Sequence, residues 1–311
     1  MILVFAPFPA LERVAMTERF VSGEPQKPVR VSTFAGGPGL RCASVVRLLG
    51  GEALVVGFAG GRIGELLADA LDKQDIPHVL TRTVSETRGS FLLLDRETGV
   101  VTLIPENAPA VTDGESTKLL ASLGRHLASA SYVIVTGDDD SGLLTAAITD
   151  AKDAHVPAVA DLKGLSLATG LKVGGVFLLR VSHKSLQKYL ERSLIHDSAI
   201  VRAANDLRAA HEIAHIVVTL GEDGAILVSE NGATRVHAPV VSHFNPTGGG
   251  QALVGAMTTR LTENGGDMVD ALCWGCAAAS VNVTYDEPGY ATPAEVRILL
   301  PRTTAIPVQV R

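Results

Sequence analysis

Apolar residues along this chain fall into two alternating patterns. Short unbroken runs read as buried strands: residues 2–6, "EALVVGFAG" (52–60), "SYVIVTG" (131–137), "VPAVADL" (156–162), "GGVFLLR" (174–180) and "AHIVVTLG" (214–221). Between them lie segments whose apolar positions recur at helical spacing, over 40–51, 61–76, 114–128, 141–154 and 183–213. The first of these closes on Gly50-Gly51, and the second stops before Pro77. Three more helices, 249–263, 267–283 and 292–299, are predicted towards the end.

Two stretches break the alternation. "RGSFLLLDRETGVVTLIP" (88–105) and "AILVSENGATRVHAP" (225–239) each join two apolar runs through turn residues, the second through Asn231-Gly232, and both predict hairpins. Short strand-like segments near 12–16 and 30–34 have no helix to cover them. Strands alternating with helices of ten or more residues predict an α/β fold, a mainly parallel sheet covered on both faces. The uncovered segments, about 10–35 and 86–106, predict a small separate sheet, a lid on one domain spanning 1–311. In such folds ligands sit beyond the carboxyl ends of the strands. Glycines mark several of those ends: Gly57 to Gly61, Gly137, Gly221, and Gly248 to Gly250.

Composition narrows the function classes. Of 311 residues 46% are hydrophobic and 19% charged, and the formal net charge is -6 with both signs interspersed. No basic stripe is available to grip a phosphate backbone, which argues against nucleic acid as a partner. No apolar run reaches the roughly 20 residues needed to span a bilayer, which argues against a membrane protein. The opening "MILVFAPFPALERV" lacks a basic lead-in and reads as a strand and turn rather than a signal peptide. Three cysteines, Cys42, Cys273 and Cys276, suit a cytoplasmic protein with reduced thiols. "CWGC" (273–276) has the spacing of a redox or metal pair, but it lies in an alanine-rich helical run where packing thiols are the rule.

The chemistry concentrates in "NPTGGGQALVGAM" (245–257). Three glycines running into a helix start can turn backbone N–H groups towards an anion. Beside them stands Gln251, whose amide can donate and accept hydrogen bonds but cannot take up a proton near neutral pH. "TGDDDSG" (136–142) places Asp138, Asp139 and Asp140 after a strand, either to hold a cation or as an exposed turn in which Asp140 or Ser141 caps the next helix. Asp161, ending another strand, is a candidate for the edge of the site. "HEIAH" (211–215) crosses from helix into strand and reads as a helix end rather than a zinc motif.

Five segments in order, "FAPFPALERV", "AGGPGLRCASVVRLLGG", "ETRGSFLLL", "VVTLGEDGAILV" and "NPTGGGQALVGAM", resemble the ribokinase/PfkB carbohydrate kinase family, nearest its fructose-phosphate and tagatose-phosphate kinase branch. The resemblance implies a ribokinase-like fold, ATP as donor, a sugar or sugar phosphate as acceptor, and a homodimer formed through the lid. It further implies that Gly248, Gly249 and Gly250 form an anion hole, that Glu12, Gly37, Arg41 and Arg88 face the substrate, and that Ser182, Thr219, Gly221 and Gly224 border the nucleotide.

Several family letters are replaced. Gln251 stands where the family has its aspartate base, Pro38 where it has a lysine, and Arg41, Phe8 and Glu12 where it has asparagine, asparagine and aspartate. The lysine-proline-asparagine with a glutamate three residues on, which serves the magnesium-phosphate end, corresponds to Arg180-Val181-Ser182 and Ser185. Magnesium is accordingly expected to bind weakly. General-base assistance is worth roughly 10²–10⁴-fold. The expectation is a carbohydrate kinase of reduced activity, with a non-catalytic pseudokinase that senses a nucleotide or phosphosugar as the alternative.

Overall fold

The computed structural model describes residues 1–137 and 142–309. Strands β1 (Ile2–Phe5), β2 (Ala10–Thr17) and β3 (Arg30–Gly36) lead into helix α1 (Pro38–Leu48), then β4 (Ala53–Gly60) and α2 (Gly61–Lys73). Next come β5 (His78–Thr83), β6 (Arg88–Asp95), β7 (Val101–Pro105), α3 (Asp113–Leu127), β8 (Tyr132–Gly137) and α4 (Leu143–Asp153). The middle of the chain forms β9 (Ala158–Leu162), α5 (Gly164–Gly170), β10 (Leu178–Ser182), α6 (His183–Leu190), α7 (Asp197–Ala210) and β11 (His215–Thr219). It ends with the hairpin β12 (Ala225–Ser229) and β13 (Gly232–His237), helices α8 (Gly249–Leu261), α9 (Met268–Asn282) and α10 (Pro293–Leu299), and β14 (Thr304–Pro307).

A ten-stranded sheet runs in the order β14-β13-β12-β11-β10-β9-β8-β1-β4-β5. It is parallel from β5 across to β11 and antiparallel through β12, β13 and β14. Side chains alternate between its faces. Ile2, Val4 and Ile134 pack with α1, α2, α8 and α9, whereas Leu3, Phe5, Val133 and Val135 pack with α3, α4, α6 and α7. Both faces are therefore buried, and the strands read as continuous apolar runs for that reason. A second sheet, β3-β2-β6-β7, stands apart and has its own small core of Val14, Phe34, Leu92 and Leu94. The mainly parallel sheet, its helices on both faces and the separate small sheet all match the expectation.

Three elements carry no strong sequence signal: β5, α5 and β14. Conversely, the helical stretch expected over 183–213 is two helices. Glu191 ends α6 in the left-handed conformation (φ 51), and α7 restarts after His196. No helix among the described residues is long and apolar enough to cross a membrane. Asp138, Asp139, Asp140 and Ser141 lie outside the described residues, so their expected roles have no structural counterpart here.

Candidate active site

The alternation of strand side chains builds the site. Val159, Leu178 and Val217 lie buried on the face covered by α8, one on each of three neighbouring strands. Two residues further along each strand the same face carries Asp161, Arg180 and Thr219. Thr136 on β8 is in register with Asp161, and Asp161 with Arg180. A polar row thus continues an apolar one at the carboxyl ends of the strands.

Helix α8 starts directly against this row. Gly248 takes the left-handed conformation (φ 84, ψ -7) at its N-cap, and a Cβ there would come within 2.8 Å of Pro288. Gly250 is helical, and it is glycine for space: a Cβ would overlap the guanidinium of Arg180. Two fully buried asparagines fix the turn before the helix. Asn282 donates to Thr247 O (2.9 Å) and accepts from Gly289 N (2.7 Å), while Asn245 donates to Asp286 O (2.8 Å) and accepts from Thr247 N (2.9 Å). Their positioning role is not evident from sequence. The available hints were an asparagine in an otherwise apolar helix and another opening the glycine motif.

At the centre Arg180 Nη1 donates to Asp161 Oδ1 (2.9 Å) and Arg180 Nη2 to Thr219 Oγ1 (2.8 Å). Gln251 Nε2 donates to the other Asp161 oxygen, Oδ2, at 2.7 Å. Both oxygens of the carboxylate are engaged, and only 5% of its side chain is exposed. The glutamine that stands beside the glycines therefore acts as a donor to a neighbouring carboxylate.

Two cavities meet at Arg180. The larger, about 650 Å³, is lined on one side by Ser182, Thr219, Gly221 and Gly224 and on the other by Gly249 and Gly250. That volume suits a drug-sized or nucleotide-sized ligand. The smaller, about 70 Å³, is bounded by Pro38, Thr136, Asp161, Arg180, Ser185 and Gln251. Beyond Pro38 and Thr136 a hollow of about 20 Å³ contains Gly37 and Arg88, whose Nε donates to Phe8 O at 3.1 Å.

Glu12 and Arg41 depart from expectation. Arg41 Nη2 donates to both Glu12 oxygens (2.6 and 2.8 Å), with Glu12 fully buried and Arg41 7% exposed. Neither lines the small cavity beside Gln251 or the hollow at Arg88, and Arg41 borders a separate cavity of about 370 Å³ with Phe34, Arg47 and Tyr290. Their charges satisfy one another beneath the Gly248 turn, where Arg41 Cδ would lie 3.3 Å from a Cβ. A buried carboxylate needs such a partner, and Arg41 is the cation that meets it.

The polar row around Arg180 offers magnesium no unbonded carboxylate, and Glu222 and Asp223 line the large cleft apart from that row. Hard dications are held by carboxylate and carbonyl oxygens. The Ser182 hydroxyl donates to Ser185 Oγ (2.8 Å), and the one carboxylate in the row is bonded to a guanidinium and an amide. No group of three or more His, Cys, Asp or Glu able to hold a metal occurs among the described residues. On α9, burial pushes the Cys276 thiol well up, and burial likewise raises that of Cys273. Thiolate, the reactive form, is correspondingly scarce.

The profile of the family described as "pfkB family carbohydrate kinase" matches residues 10–295. The chain belongs to that family. ATP-dependent 6-phosphofructokinase isozyme 2 of Escherichia coli (strain K12) is 26% identical over 249 residues, covering 79% of this chain and 80% of its own. A crystal structure of phosphofructokinase-2 from Escherichia coli with substrates and products superposes with a TM-score of 0.89 at 22% identity, over 97% of this chain and 98% of that one. Arabidopsis thaliana ribokinase with ribose and ATP gives 0.76 at 19% identity, over 96% and 98% of the two chains. The fold of this pfkB-family chain is thus ribokinase-like from end to end.

Proposed function

We propose that this pfkB-family chain is a sugar-phosphate kinase of phosphofructokinase type, with ATP as donor, whose phosphoryl transfer is slow. In this reading the adenine nucleotide occupies the large cleft along Ser182, Thr219, Gly221 and Gly224. Gly248, Gly249 and Gly250 turn the start of α8 towards its phosphates. The acceptor lies on the Arg88 and Gly37 side, an arginine being well suited to a sugar's phosphate. The Glu12–Arg41 pair supports that wall from behind. The small sheet serves as lid.

One observation carries the slow turnover: Gln251 spends its amide on Asp161 and offers the acceptor hydroxyl no group that can accept a proton. Positioning and charge stabilisation survive, and the roughly 10²–10⁴-fold due to a base is lost. A second reading, a non-catalytic sensor of nucleotide, is favoured by the small cavity beside Gln251, whose 70 Å³ is far below the volume of a hexose phosphate pocket.

Thermal-shift titrations with ATP, ADP and fructose phosphates, run beside an ADP-release assay, test both. Nucleotide-dependent stabilisation with slow, sugar-dependent ADP release supports the slow kinase. Stabilisation without turnover supports the sensor. Turnover at the ordinary kinase rate of about 1–100 s⁻¹ would defeat both readings.

A further inference from the structure

Arg180 is unusual in what it leaves unspent. A guanidinium has five N–H donors. Among the described residues Nη1 gives one to Asp161 and Nη2 one to Thr219, while Nε is buried without a partner. The group lies flat over Gly250 in the first turn of α8 and lines the 650 Å³ cleft beside Thr219, Gly249 and Gly250. A fixed positive charge therefore stands where a nucleotide's terminal phosphates would meet the helix end. At the Arg180 end of the cleft the Ser182 and Ser185 hydroxyls bond one another and Asp161 bonds Arg180 and Gln251, while Glu222 and Asp223 are the carboxylates that line the cleft beyond Thr219.

We infer that Arg180, in place of a divalent cation, supplies the positive charge that meets the polyphosphate in this cleft, so that the protein binds the metal-free nucleotide. The inference rests on the nucleotide reading of the cleft. A guanidinium is permanently charged and presents its donors in a planar fork matched to phosphate oxygens. Asp161 holds the fork in place and, by the same bond, neutralises part of its charge. Nucleotide phosphates compete with that carboxylate for the guanidinium.

Calorimetric titration of the full-length protein with ATP, once in excess magnesium and once in excess EDTA, provides the test. ATP is expected to bind no more tightly in magnesium than in EDTA, because the metal masks the phosphate charge that the guanidinium would meet and the oxygens beside Arg180 are already bonded. Arg180→Gln should weaken ATP binding by roughly 10- to 100-fold in both buffers, the range for a lost charge-assisted hydrogen bond. Arg180→Lys, which keeps the charge without the fork, should recover part of the loss. Asp161→Asn is close in shape and removes the competing charge, so it should tighten binding in EDTA even if Arg180→Gln fails to fold. Affinity at least about tenfold higher in magnesium than in EDTA overturns the inference while leaving the nucleotide site standing. Weaker binding by Asp161→Asn in EDTA also overturns it. Absence of ATP binding in both buffers defeats the nucleotide reading itself and the inference with it.

Discussion

At the residue scale, a buried ion pair ties together two side chains that the motifs pointed towards the substrate. Glu12 and Arg41 neutralise each other, and the cost of removing one partner is the cost of stranding the other. Glu12→Ala should lower the free energy of unfolding by about 3–5 kcal/mol, read from urea denaturation, and Glu12→Ala with Arg41→Met should recover much of it. A single variant as stable as the parent would mean that the pair contributes nothing. Gln251→Asp would bring a second carboxylate against Asp161, where like charges disfavour ionisation. We expect the variant to release ADP no faster than the parent by more than about tenfold, well short of a restored base, in a coupled assay. The motif made Gln251's deficiency plain in advance, since the limitation is intrinsic to an amide. It could not show that the amide serves Asp161, because that contact joins positions 90 residues apart. Arg180 was legible in principle: an arginine two places after Leu178 must share its face of the sheet, and that face points to α8.

At the element scale, the parallel strands announced themselves because both their faces are buried, and α8 because its glycines mark its start. β5 is half-buried with mixed polarity, and β14 is four exposed residues whose only reason to be a strand is the free edge of β13. Neither has a local cause strong enough to read. The link from α9 to α10 is held by a device also invisible in sequence. The Tyr285 hydroxyl donates to Glu295, which also accepts from the N-cap residue Thr292. The bond to Glu295 is the main reason that the phenol's pKa is pushed up to about 12. A proton held more tightly in the folded chain confers stability that is complete below the ordinary tyrosine value of about 10 and disappears as pH rises towards 12. Thermal melts should therefore show a loss of stability between these limits that is smaller in Tyr285→Phe. Tyrosinate absorbance rising fully near pH 10 would contradict the bond.

At the scale of the whole molecule, the small sheet turns part of one face to solvent. Phe91 is 48% exposed and Ile104, its register partner, 58% exposed, with Val31 also exposed on β3. An apolar surface of this kind fits the homodimer that the sequence resemblance implies. Sedimentation should find a dimer, and Phe91→Asp should shift it to monomer without unfolding it. A parent protein that sediments as a monomer at assay concentrations would exclude the pairing. Arg180 has a wider effect, because the same side chain walls both the large cleft and the small one. Any occupant that draws the guanidinium towards one compartment reshapes the other. Thermodynamic reciprocity then requires each occupant to alter the other's affinity by an equal factor, so the two compartments behave as a single coupled device even if no phosphoryl group ever passes between them.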